Sequence, residues 1–469
     1  MWMEMTRMMH RVRLGRNFRN VAAFGVVAAL LLGFAASVDA KTWTVTTTTD
    51  SPTDAGSLRY IISKAGGGDA IKFTSGGATL TDYLSLEKKL TIEGPATIRQ
   101  TGGNRIFHVS AGVGVTLRKL TLTGGGRQME RGGAIYSFGS LTMEDCTVSG
   151  NTSLTEGGGV FSEGTLTMRN CTVTGNSSYV AGGIMNHKTS YGAKLTMEDC
   201  VVERNTATTH CGGVYNEGTL RIDGGGIRNN SGGSEGDAGI YNAAGASAAV
   251  MNCTIMYNSC PHGSGGVNNE GTLNMTGCDI GSNNGGSCGG VENIGTLKLK
   301  ECVISGNTSN CAGGGIYNHG RGSVTVEKCS ITGNGAAYSG GGICHYASSF
   351  DDDPAAKCRL TNCTVVKGNG PDQIYGPYKA DGDCTIGTAP NKSAATLSGY
   401  SGASEPEPRS ITGDADVAQV KNALADPASA VFAAVKTALS NDLSGISGDA
   451  TVSLAGMTAS LYYANTFEG

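Results

Sequence analysis

The chain has 469 residues, a net charge of −4 and only 16% charged residues, so no basic surface marks it as a nucleic-acid binder. Glycine supplies 74 residues, yet there is no collagen period, and regularly placed Leu, Met, Cys and Val exclude a low-complexity coil. Length here counts repeats rather than domains.

The first 40 residues read as an export signal. Arg7, Arg11, Arg13, Arg16 and Arg19 form a basic segment, and Val21 to Ala36 is an apolar run. Val38 and Ala40 then suit the −3 and −1 positions of a cleavage site before Lys41. The expected location is therefore secreted or cell surface, with membrane contact only through export or an anchor not evident in the sequence. Residues 41–131 read as an N-terminal cap followed by irregular coils. Ser57 to Ala65 predicts a short amphipathic helix with Leu58, Ile61, Ile62 and Ala65 on one face. Leu84 to Gly94, Ala96 to Gln100, Arg105 to Ser110 and Val115 to Gly124 alternate as strands.

Residues 132–369 are a regular array. Gly132 to Asn151, GGAIYSFGSLTMEDCTVSGN, recurs as GGGVFSEGTLTMRNCTVTGN from Gly157 to Asn176 and in seven further units. Aligned on their cysteine, the units stand at Cys146, Cys171, Cys200, Gly225, Cys253, Cys278, Cys302, Cys329 and Cys363, at intervals of 24 to 34 residues. Within a unit, Ile135, Leu141, Met143, Cys146 and Val148 fall on one face by period-two alternation, and Thr142 and Glu144 on the other. The Val position continues as Val173, Val202, Ile227, Ile255, Ile280, Ile304, Ile331 and Val365. Three short strands per unit, all of one polarity and with no two-residue hairpin loops, predict an all-β fold: a right-handed parallel β-helix with one unit per turn, stacked at about 4.8 Å. Corners need a left-handed residue or a tight bend, which Gly and Asn tolerate. One corner carries Asn151, Asn176, Asn205, Asn230, Asn258, Asn283, Asn307, Asn334 and Asn369, which can bond as a ladder. A second carries Asn216, Asn242, Asn269, Asn293 and Asn318. Residues 370–403 read as terminal coils, and 404–469 as a linker with a small, partly helical, Ala-rich region.

The aligned cysteines Cys146, Cys171, Cys200, Cys253, Cys278, Cys302, Cys329 and Cys363 read as a buried column of thiols, with Cys358 in the Leu column. Cys211, Cys260, Cys288, Cys311, Cys344 and Cys384 fall off that column. Cys288 and Cys311 each precede a Gly pair in adjacent units and form the best candidate for a disulfide. His187 and His319 follow Ile-x-Asn corners and read as exposed. Asp351, Asp352 and Asp353 read as a solvated loop tip rather than a Ca²⁺ site. No spacing calls for a catalytic residue, a metal or a cofactor, and the outward strand positions read as a plain surface of Thr, Ser and Asn.

The GGAI element Gly132 to Ile135, with its TLTM-type strand and Gly-Asn corner, resembles the repeats of bacterial polymorphic outer-membrane-protein-like and adhesin-like β-helix passengers. Asp50, Ser57-Leu58-Arg59 and Asp69 with Ile71 and Phe73 resemble the SLREA-type segment that opens many such proteins, although Gly56 stands where that motif has Cys. The resemblance implies a pectin-lyase-like solenoid. It implies an exported, non-enzymatic rod acting in surface adhesion or as a scaffold, with a host-cell or matrix protein or a glycan as partner. The same fold also admits a polysaccharide-binding or polysaccharide-degrading protein, and fold alone does not choose between them.

Overall fold

The computed structural model describes residues 40–126, 131–189, 192–234, 236–346, 354–363, 365–387, 450–454 and 457–461. The export signal, Asp351 to Asp353, and the linker with its Ala-rich stretch lie outside them.

The described array is a parallel β-solenoid. Each coil contributes one strand to sheet I and two to sheet II. Sheet I has 12 strands, from Leu84–Leu86 to Ile374–Tyr375, and sheet II has 24. Every unit pairs with the next in parallel: Ile135 lies level with Val160, Leu141 with Leu166, and Val148 with Val173. Alternation sends Ile135, Ser137, Leu141, Met143 and Val148 inward, all buried, while Tyr136 and Thr142 face out. One continuous apolar core results, because each coil covers the open face of the coil before it.

Left-handed residues close the bends, and their placement refines the reading of the corners. The left-handed residue is not the ladder asparagine but the one before it: Gly150, with φ of 63°, precedes Asn151. A second such residue, Asp145 with φ of 52°, precedes Cys146. Gly or Asn commonly fills these sites, but Arg204 (54°) and Tyr257 (57°) hold the same conformation, imposed by the coils on either side.

Helix α1 (Leu58–Lys64) covers the first coils, as its pattern predicts. Ser57 caps it by accepting from Tyr60 N–H at 3.1 Å, and Lys88 Nζ donates to Ala65 O at 2.8 Å at its other end. Leu58, Ile61 and Ile62 enter the solenoid core. Arg59 holds Asp50, and Asp69 accepts from Lys41 N–H and Trp43 Nε1–H at 2.8 and 2.7 Å. At the other end Lys379–Asp381 adds a rung, and Ile386 bridges to Val366. The inward residue of the preceding coil is Val366 rather than Val365, because Ile331 lies level with Val366. Ala450–Leu454 and Met457–Leu461 form an antiparallel pair.

Candidate functional site

The interior holds the ladder and the thiols. From Asn151 to Asn369 the nine asparagines stack one per coil, each no more than 1% exposed. Within the stack, each Oδ1 accepts both the backbone N–H and the Nδ2–H of the asparagine one coil earlier, at 2.9–3.1 Å, as for Asn151 on Asn176 and Asn258 on Asn283. Both ends are closed: Gly125 N–H donates to Asn151 Oδ1, and Gln373 Oε1 accepts from Asn369. The second ladder is longer than its motif suggests. It runs from Asn186 through Asn216, Asn242, Asn269, Asn293 and Asn318, and ends on buried His345, whose Nδ1 lies 2.9 Å from Asn318 Nδ2.

The eight column thiols are at most 2% exposed and donate to backbone carbonyls, as Cys146 does to Glu144 O at 3.2 Å. Burial pushes the Cys253 thiol up to about 12. Cys384, read as off the column, is its last rung: Cys363 N–H meets Cys384 Sγ as Cys302 N–H meets Cys329 Sγ, each at 3.4 Å. The disulfide expected between Cys288 and Cys311 is not formed. Both are free thiols; Cys288 is buried with Sγ 3.1 Å from Gly313 O, while Cys311, two residues earlier in that coil, faces solvent. Register, which sequence adjacency to a Gly pair does not set, separates them.

The outer face of sheet I is not the plain surface that composition suggests. The middle residue of each Ile/Val-x-Asn-type triplet points outward, and successive triplets are in register. They stack as His108, Tyr136, Phe161, Met185, Tyr215, Tyr241, Asn268, Glu292 and Tyr317. Tyr136 meets Phe161 edge-on at 5.0 Å, and Tyr215 and Tyr241 lie 4.5 Å apart. Beside this column the residue after each triplet forms a second one: Phe138, Glu163, His187, Glu217, Ala243, Glu270, Ile294 and His319. The loops leading into the Gly pairs flank the other side with Arg131, Glu156, Asp237 and Ser264.

Two polar groupings sit on this face. In the first, the Arg105 guanidinium lies 4.8 Å over the Tyr136 ring and that of Arg131 lies 5.1 Å over Phe161. Arg131 also pairs with Glu156 at 2.8 Å, and Tyr136 O–H donates to Glu163 at 2.9 Å. Arg105, Arg131, Tyr136, Thr155 and Glu156 line a concavity of about 400 Å³. One coil further, His187 Nδ1 lies 2.7 Å from Glu217 Oε2, and that carboxylate raises the imidazole pKa. Burial alone pushes Glu217 up, but His187 and the Lys188 N–H together hold it below its usual value.

In the second grouping, Ser264 joins two carboxyl groups. Its N–H donates to Asp237 Oδ1 at 2.8 Å and its O–H to Glu292 Oε2 at 2.5 Å. Ser287 O–H also donates to Glu292, whose other oxygen lies 2.6 Å from His319 Nε2. Burial first, and then the nearby Glu292 charge, push Asp237 up to about 7. Burial also pushes Glu292 upward, but His319, Ser264 and Ser287 outweigh it and keep the carboxylate ionised. His187 and His319 are thus half-buried partners of carboxylates rather than free corner residues. The signal for this face was present in the repeat: the position between the Ile/Val and the Asn or Ser holds an aromatic or acidic residue in most coils, with Met185 and Asn268 breaking the run.

The family model for the right-handed β-helix region matches residues 62–255. The solenoid is a right-handed parallel β-helix. Among solved structures, a pectate lyase, Pel9A, is similar at 13% identity over 66% of this chain and 82% of its own, with a TM-score of 0.35. The A-module of the Azotobacter vinelandii mannuronan C-5 epimerase AlgE6 is similar at 12% identity over 71% of this chain and 94% of its own, with a TM-score of 0.38. No curated protein matches the sequence.

Proposed function

We propose that this protein is an exported rod that binds a neutral polysaccharide along the outer face of sheet I, and that it acts in adhesion through that glycan. The observation that carries this reading is the outward column from His108 to Tyr317, in which Tyr136, Tyr215, Tyr241 and Tyr317 present partly exposed rings while Phe161, Met185 and Glu292 between them are buried. Ring edges and hydroxyls offer both apolar contact and hydrogen bonds to sugar rings. Many of the acidic groups already have a basic partner: Glu156 and Glu163 with Arg131, Glu217 with His187 and Glu292 with His319. The face therefore carries little uncompensated charge, which suits a neutral chain better than a polyanion. Export rests on the basic and apolar N-terminal segments, and the adhesin-like reading on the GGAI repeat.

The test is binding of residues 41–469 to a panel of neutral and acidic polysaccharides, followed by Tyr215→Ala with Tyr241→Ala. Loss of affinity by tenfold or more is expected. Unchanged affinity in that double variant would overturn the reading. A second reading, acid–base chemistry on the glycan, is favoured by the Asp237–Ser264–Glu292–His319 chain, since paired carboxyls of divergent pKa suit proton transfer. Against it, Asp237, Ser264 and Glu292 are 3%, 0% and 7% exposed, beneath the surface a sugar would touch. Polysaccharide cleavage that disappears in Glu292→Gln would establish it.

A further inference from the structure

The two interior ladders start differently, and the difference locates a binding site inside the rod. The first ladder begins with its acceptor satisfied, because Gly125 N–H donates to Asn151 Oδ1. The second begins at Asn186, whose Nδ2 donates to Asn216 Oδ1 at 2.6 Å but whose own Oδ1 has no hydrogen-bond partner. The rungs before it, level with Asn186 in the same column, are Ser162 and then Ser137. Both serine hydroxyls are also without a partner, and all three residues are 0% exposed. One rung earlier the column turns apolar at Val109. Three successive rungs thus carry unpaired buried oxygens, in a molecule whose other ladder leaves none.

Buried polar groups are almost always bonded, to protein or to ordered water. What each serine lacks, compared with the asparagine of the later rungs, is a carboxamide. In those rungs the amide nitrogen donates to the next Oδ1 and to carbonyls nearby: Asn216 Nδ2 reaches Asn242 Oδ1, Gly218 O and Ser247 O. By register, the equivalent acceptors beside Ser162 are Asn186 Oδ1, Gly164 O and Lys194 O. A water at the place of the missing amide nitrogen can donate to two of these and accept from the Ser162 hydroxyl. Truncating Asn to Ser frees space of the order of one water's share of liquid volume, about 30 Å³.

We infer that the serine rungs are water sites: one ordered molecule bridges Ser162 Oγ to Asn186 Oδ1, and a second bridges Ser137 Oγ to Ser162 Oγ, completing the ladder with solvent. The ligand is a neutral donor–acceptor. It accepts from the Ser162 hydroxyl as well as donating to the oxygens around it, and a bare cation can do neither.

A high-resolution crystal structure of the full chain tests this directly. Density bonded at roughly 2.8 Å to both Ser162 Oγ and Asn186 Oδ1 is expected. Ser162 Oγ turned onto a protein carbonyl, with nothing between the rungs, overturns the inference; so does an ion at about 2.4 Å from its oxygens. Ser162→Asn provides the second arm. If the site holds a water of that size, the new amide replaces it, donates to Asn186 Oδ1 and raises Tm by roughly 2 °C. A fall in Tm with a displaced backbone would show that the space does not exist and would equally overturn it.

Discussion

On the outside of sheet II the column Thr142, Thr167, Thr196, Arg221, Ala249, Asn274 and Lys298 faces solvent. Its neighbouring charges pair between coils, as Arg169 does with Glu198 at 2.8 Å and Arg228 with Glu203 at 2.8 Å. The outside of sheet I carries rings and carboxyls instead, flanked by the loops that enter the Gly pairs. Phe161 and Met185 there are almost fully buried although they point away from the core. Strand alternation is the same in both sheets; what differs is whether a loop folds over the outer row. A bare face, whose exposed ion pairs contribute little, tolerates almost any polar residue. A flanked face holds groups in fixed geometry, and is where recognition can be built.

That contrast can be broken at several levels. The largest effect is expected from the inward row that both sheets share. Val148→Asp or Ile304→Asp should cost more than ~4 kcal/mol, because an unpaired charge enters the core; loss of the β signal in circular dichroism, or a collapsed denaturation midpoint, would register it. Asn258→Ala comes next. It strands the backbone N–H and amide of Asn230 and should cost about 2 kcal/mol by chemical denaturation.

The third probe separates the faces by pH. Asp237 has a folded pKa raised to about 7 from its ordinary value of 3.8, so between about pH 4 and 7 the folded state binds more protons than the unfolded one. Its contribution to stability is therefore full below that window and is lost as pH rises through 7. The raised His187 acts in the same sense, losing its contribution as pH passes its folded value. Thermal melts should weaken from pH 4 to 7, and Asp237→Asn should flatten that slope. Charge changes on sheet II should leave it alone, and an unchanged slope in Asp237→Asn would place the titration elsewhere. The smallest effect is expected from Thr142→Asp, within about 0.5 kcal/mol of the parent. Equal losses for Thr142→Asp and Val148→Asp would reject the assignment of faces.

The coil, its inward residues and the ladder asparagines were legible in the sequence because each repeats at a fixed place in a unit, and burial demands the same chemistry on every rung. The thiol column followed for the same reason. Cys288 and Cys311 show the limit: both precede a Gly pair, but a register offset of two residues buries one and leaves the other exposed to solvent. Asp237, Ser264, Glu292 and His319 show it more fully, since they lie in four different units and at three different positions of the repeat. The sequence by itself determined the period, the inward row and the bends, which depend on contacts between equivalent positions. Only the tertiary structure decided which outward residues meet across coils and which are flanked by loops. Several of those contacts, Ser264–Glu292 and Glu292–His319 among them, join non-equivalent positions, and their geometry is set by loop length and coil register together.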